Sequence, residues 1–240
     1  MRKTSDVALS EWLDGALGRL VLREEAAVVR RSLEDVFGFE FVQLGSFGPA
    51  GALLAGARLP HTTLVAPRTG AGATLCAPLD MLPFASDSID AILLPHTLEL
   101  VEDPYAVLRE AERVLCAEGC LLICGFNPWS GWGARRLFAQ TMRRAQFPPE
   151  TCRLLTEGRL RDWVALLGFE LDRVSGYLGP LPFARSAGAE GVERPPLAAG
   201  AYLLKARKRV QTLTPVRKRS RARQRLLIPV AETNSKVRRS

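Results

Sequence analysis

The sequence predicts an α/β protein: a parallel sheet with helices on both faces, an N-terminal helical extension and a basic, disordered C-terminal tail. Two observations carry this expectation. Short apolar segments alternate with helical or glycine-rich segments from residue 40 to residue 126. Those apolar segments also lack the polar alternation of a half-exposed sheet, so both of their faces are covered. In such sheets, ligands sit outside the carboxyl ends of the strands, where strand order reverses. Two strand ends stand out: the glycine-rich turn GSFGPAG (45–51) and the run LLPHTLELVEDP (93–104), which holds one of only two histidines.

The elements follow in order. Residues 8–37 read as helix, with Leu9, Trp12, Leu13, Leu17, Leu20 and Val21, then Val28, Leu33, Val36 and Phe37, at helical spacing, and Gly38 as the stop. Residues 40–44 form a first strand and the turn at 45–51 leads to a short helix in AGALLAGARL. Strands are expected at 62–66, 73–77 and 88–95. The segment PYAVLREAERVLCAEG is an amphipathic helix capped by Asp103, with Pro104 at its first position and Gly119 ending it. CLLICGF (120–126) is a fifth strand. A basic helix after NPWSGWG, a helix at 157–167, a strand at 169–176, a loop at 179–199 and a last strand in GAYLLKARKRV complete the domain. Boundaries are expected at 1–38 for the extension, 39–210 for the domain and 211–240 for the tail.

The net charge of +8 is unevenly spread. From Lys205 to Ser240 there are thirteen Lys and Arg against one acid, Glu232, so the body is mildly acidic. Asp6, Glu11 and Asp14 interrupt the N-terminus before any apolar run forms, and the longest uncharged stretch, Phe41–Ala57, is too short and glycine-rich to span a membrane. Five cysteines without a disulfide framework fit a reducing compartment, and a cytoplasmic location is expected. Cys116, Cys120 and Cys124 are four apart, a spacing unlike a zinc knuckle's, so no metal is expected.

The run LPFASDSIDAILLPHTLELVEDPYAVLREAERVLCAEGCLLICGFNP closely resembles the middle of class I S-adenosylmethionine-dependent methyltransferases of the type 11 group. Leu82-Pro83-Phe84, Ser88-Ile89-Asp90, Glu102-Asp103-Pro104 and the stretch from Leu108 to Gly119 match that group's usual run. LPHTLE, GFNPWSGWG and the Trp-bearing N-terminal helix resemble a bacterial subfamily of it. The resemblance implies a Rossmann-like class I fold and S-adenosyl-L-methionine as cofactor. It places the cofactor against Gly45, Ser46 and Gly48, with Asp80, Met81 and Leu82 along the adenine and Pro95 beside them. The chain departs from the pattern in four places. Gln43 stands where the first strand should end in an acid, and Phe47 stands on the middle glycine's position. Ala66 or Pro67 stands where the second strand should end in the ribose-binding acid, and Pro78 where the adenine acid is expected, with Asp80 two residues later.

In the matching fold the segment after the fourth strand lies beside the reactive methyl group. His96 there suits a general base or substrate-orienting role, with Glu99 placed to orient it if the chain turns. The alternative is a histidine that closes the strand end through backbone hydrogen bonds. Trp129 and Trp132 could cover an acceptor, or pack the helix that follows. The expected function is methyl transfer to an unidentified acceptor, small or macromolecular. The competing reading is a catalytically inactive protein that keeps the fold as a binding or scaffold partner. The Arg-rich run at 217–225 has no interleaved aromatic residue, so it is expected to bind polyanions weakly, if at all, and in a salt-sensitive way.

Overall fold

The structure, a computed structural model, describes residues 12–49, 51–68, 72–134, 153–179 and 195–209. Residues 8–11, the expected basic helix after residue 134, Cys152, most of the expected loop at 179–199 and the tail at 211–240 lie outside them.

Helix α1 spans Ala16–Ser32 and buries Val21, Val28 and Val29 on one face. It ends earlier than Gly38, because a buried lysine takes over its last turn: Lys205 Nζ donates to Ser32 O at 2.9 Å. Gly38 has another task. A Cβ there would stand 2.4 Å from Asp90 Cγ, and Asp90 Oδ2 accepts the backbone N–H groups of Phe39 (2.7 Å) and Glu40 (3.0 Å). Glycine lets the chain come close enough to be held at the entrance to the sheet.

The sheet has seven strands: β1 (Glu40–Leu44), β2 (His61–Ala66), β3 (Leu75–Cys76), β4 (Ile89–Pro95), β5 (Leu115–Phe126), β6 (Phe169–Tyr177) and β7 (Ala201–Lys208). Their order is β3-β2-β1-β4-β5-β7-β6. The first five pair in parallel, whereas β7 runs antiparallel to both β5 and β6. Strand order reverses between β1 and β4, and in such sheets ligands sit outside the carboxyl ends of the strands at that point. Phe41, Leu93, Leu122 and Leu203 pack on the α1 face. Val42, Ile92, Leu121 and Ile123 pack on the other. This double coverage explains why the strands read as unbroken apolar runs.

On that second face, α2 (Thr97–Leu100), α3 (Pro104–Val114) and α4 (Glu157–Leu166) follow in chain order. Asp103 caps α3 by accepting from Tyr105 N (3.1 Å) and Ala106 N (3.0 Å). The helix stops at Val114, not at Gly119. Leu115 is already extended, and the register with β4 jumps from Ile89↔Leu115 to Ala91↔Cys120 across the left-handed Glu118. The expected short helix at 50–59 is a set of turns over 51–56, where Pro49, Gly51 and Gly56 disfavour a regular helix. Strand β3 has two residues instead of five. Just before it, the Thr74 hydroxyl accepts from Leu64 N (2.8 Å) and reaches Leu64 O (3.1 Å), taking the place of ladder bonds. The described residues all belong to one compact unit. Among the described residues no helix is long and apolar enough to cross a membrane.

Candidate active site

After Leu44 the chain turns through three glycines in the left-handed region: Gly45 (φ +92°), Gly48 (+81°) and Gly51 (+73°). Gly45 must be glycine for two reasons. Side chains rarely adopt its φ, and a Cβ there would stand 2.7 Å from Thr97 Oγ1. That hydroxyl donates to Leu44 O (2.5 Å) and lies 3.3 Å from Pro95 O, so the turn and the segment after β4 are stitched together. Gln43 is buried and donates its amide to Gly45 O (3.0 Å), while its Oε1 has no hydrogen-bond partner among the described residues. Ser46 is half-buried, and a Cβ on Gly48 would meet Leu22 Cδ2 of α1 at 2.4 Å.

Pro95 is buried, and His96 follows it in a left-handed conformation (φ +53°), its N–H donating to Cys124 O at 3.1 Å. The imidazole is only 1% exposed, lying between the rings of Phe47 (4.6 Å) and Phe126 (4.0 Å). Helix α2 turns Glu99 back so that its Oε2 meets Nδ1 at 2.8 Å, and Glu99 Oε1 accepts Phe126 N at 2.9 Å. The other ring nitrogen faces a residue that sequence reasoning missed. Glu25 of α1, fully buried, places Oε1 3.0 Å from Nε2, off the N–H axis, so the contact is a charge pair rather than an in-line hydrogen bond. Tyr177 donates its hydroxyl to the same Oε1 at 3.0 Å. A signal for Glu25 was present: it interrupts the apolar stripe formed by Val21, Val28 and Val29.

Burial alone would push the imidazole pKa down, but the carboxylates of Glu25 and Glu99 overcome it and raise it to about 9. At neutral pH His96 is therefore an imidazolium, with both nitrogens turned to carboxylates. Burial raises the Glu99 carboxyl, against the pull of His96. The Cys124 thiol and Tyr177 phenol are pushed well up by burial and by the nearby Glu25, so both are neutral.

Two strands away, Asp80 and Met81 are exposed beyond β3, Met81 by 69%. Leu82 is buried and tied to α3: its N–H donates to Glu110 Oε1 (2.7 Å) and its carbonyl accepts from Arg113 Nη2 (3.2 Å). The end of β2 carries no carboxylate; buried Ala66 is followed by exposed Pro67 and Arg68. The two tryptophans part company. Trp132 is core, its Nε1 donating to Gly179 O (3.0 Å), whereas Trp129 is 81% exposed on a turn fixed by Asn127. An open cavity of about 280 Å³ lies between Gly51, Leu54 and Ala55 and the body of β2 at Thr62 and Leu64. It includes neither His96 nor Glu99 and lies apart from the turn at Gly45–Gly48. Among the described residues no three or more His, Cys, Asp or Glu side chains are arranged to hold a metal ion.

The sequence profile of the Methyltransferase domain matches residues 54–123, the stretch that runs from the turn after β1 into β5. YafS of Escherichia coli K12, an uncharacterized protein, is 33% identical over 208 residues, covering 87% of this chain and 84% of YafS. The chain belongs to the class I methyltransferase family. This methyltransferase-family chain also superposes on an S-adenosylmethionine-dependent methyltransferase from Thermotoga maritima with a TM-score of 0.64 at 20% identity, covering 79% of this chain and 92% of that one. A 69-residue stretch is 38% identical to the malonyl-[acyl-carrier protein] O-methyltransferase of Laribacter hongkongensis, covering 29% of this chain and 23% of that one.

Proposed function

We propose that the protein transfers a methyl group from S-adenosylmethionine to a nucleophilic acceptor, small or macromolecular, at the carboxyl edge of β1 and β4. The observation that carries this reading is the left-handed glycine turn at Gly45–Gly48, stitched through Thr97 to the end of β4 at the point where strand order reverses. On two sides the residues fit the donor. The buried, unpartnered Gln43 Oε1 would accept from its ammonium group, and exposed Asp80 and Met81 would border its adenine, with Ser46 and Pro95 between. On the third side the ribose meets no carboxylate, which predicts weak binding there.

The bound donor supplies an activated methyl group, so the chain's own task is alignment. His96 and Glu99 serve that task as a holding pair at the end of β4. A buried imidazolium with both nitrogens on carboxylates positions the turn; it does not remove a proton from the acceptor. Trp129, exposed on its fixed turn, is the side chain offered to the acceptor. The basic segment beyond residue 210 is a weak, salt-sensitive polyanion contact.

Calorimetric titration with S-adenosylmethionine and S-adenosylhomocysteine tests the reading. Saturable binding of both, followed by labelling of a component in bacterial small-molecule, RNA or protein fractions, is expected. Absence of binding to the folded chain would leave the competing view, a scaffold that retains only the fold.

A further inference from the structure

We propose that Glu25 is a positioning residue of this site: by pairing with His96 it clamps the imidazole between Phe47 and Phe126 and so holds the glycine turn in the shape that receives the donor. The inference rests on the function proposed above, and it brings into the site a helix that lies outside residues 54–123.

A carboxylate with no solvent exposure is costly unless it is paired, and an apolar residue would complete the stripe of α1 equally well. What Glu25 contributes is a charge at one place. Its Oε1 faces His96 Nε2 and accepts from Tyr177, so helix α1, the end of β4 and the end of β6 meet at one atom. The backbone of His96 is itself in a region unfavourable for a side-chain-bearing residue, so the surroundings must hold it there. They do so through Cys124 O, Glu99 and Glu25.

The imidazolium is the seat for Phe47, the only bulky side chain between Gly45 and Gly48. A ring held against a desolvated cation, as the tilted Phe47 ring is, is attracted to it, and neutralising the cation weakens that contact. One turn before Glu25 on the same helix, Leu22 lies against Gly48. Helix α1 therefore touches the turn twice: directly through Leu22, and through the chain Glu25, His96, Phe47. The titratable groups facing the imidazole are Glu25 from α1 and Glu99 from α2. Cys124 from β5 and Tyr177 from β6 face Glu25. If Glu25 is neutralised, Glu99 is, among the described residues, the one carboxylate left facing the imidazole, on the opposite nitrogen.

The test uses the full chain with Glu25→Gln, which keeps the shape and removes the charge. With only two histidines, His61 and His96, the ring resonances can be followed separately by NMR. In Glu25→Gln the His96 ring is expected to titrate at lower pH than in the wild type. The backbone amides of Ser46, Phe47 and Gly48 are expected to move in the ligand-free protein, and S-adenosylhomocysteine affinity at pH 7 to fall about tenfold. Glu25→Asp should recover part of that loss. A purely structural Glu25 would lower thermal stability while leaving those amides and the affinity of the folded fraction unchanged, and that result overturns the inference. Should Glu25→Gln not fold, Glu25→Asp, which keeps the charge but draws it back from Nε2, should move the same amides part of the way; unmoved amides there also overturn it. If the wild type binds neither S-adenosylmethionine nor S-adenosylhomocysteine, the proposed function fails, yet the amide shifts of the ligand-free variants still decide the role of Glu25.

Discussion

Lys205 Nζ, buried in β7, pairs with Asp35 Oδ1 at 2.5 Å just beyond the end of α1, the same ammonium that caps the helix through Ser32 O. The pair is asymmetric, since the lysine has no exposure and the Asp35 side chain is 55% exposed. Removing the acid leaves a buried ammonium whose nearest remaining carboxylate is Asp172 at 3.7 Å. Asp35→Ala should therefore destabilise by about 2–3 kcal/mol, whereas Lys205→Met, which keeps an apolar stem, should cost less, about 1 kcal/mol. Urea melts of the two variants check the order; equal losses would contradict it.

The buried imidazolium makes stability fall on the alkaline side. The folded pKa of His96, about 9, lies above its unfolded value of about 6.5. Its contribution is thus complete below pH 6.5 and is lost as pH rises through 9. Glu99, also raised, gives a loss of the same sign that begins near its ordinary value of 4.5. Thermal melts from pH 6 to pH 10 should show a decline worth up to about 3 kcal/mol. His96→Gln should start less stable and lose most of the slope.

Gly45 and Gly51 share a left-handed backbone but differ in surroundings. A Cβ on Gly45 would collide with Thr97, whereas one on Gly51 would meet nothing within 4 Å. Gly51→Ala should cost about 1 kcal/mol from backbone strain alone. Gly45→Ala should cost roughly twice as much and Gly45→Val more, with donor binding lost in both, since the turn must open to fit the new atoms. Chemical melts paired with calorimetry separate the two effects.

The missing carboxylate at the end of β2 can be supplied. Pro67 is exposed and follows the last residue of that strand. Pro67→Asp should tighten S-adenosylmethionine binding by about tenfold, the worth of one charge-assisted hydrogen bond. A loss of affinity would place the ribose elsewhere.

Four of the thirteen basic residues in the C-terminal run are already engaged. Lys205, Arg207 and Lys208 lie in β7 and pair with Asp35, Asp172, Asp87 and Glu112, and Arg209 pairs with Glu118 and Glu170. Truncation after Arg209 should leave the melting temperature unchanged. Any binding to single-stranded RNA at low salt should disappear with the removed residues; binding that survives truncation would locate the polyanion surface on the body.

Most of the strands, the parallel pairing of the first five and the capped helix α3 were legible in the sequence, because local rules favour them; the antiparallel placement of β7 was not. Apolar runs without alternation can only be sheet covered on both sides, and Asp103-Pro104 can only open a helix cleanly. The left-handed turn after β1 was equally visible in Gly45 and Gly48. Long-range contacts decided the rest. Gly38 reads as a helix stop until Asp90, fifty-two residues away, is seen against it. Gly119 reads as another until the register jump shows it inside β5. In the sequence, His96 reads either as a base oriented by Glu99 or as a histidine that closes the strand end. Only the packing of α1 across the sheet brings Glu25 to Nε2 and fixes the charge of the ring, because the protonation of a buried group is set by neighbours that sequence distance does not reveal.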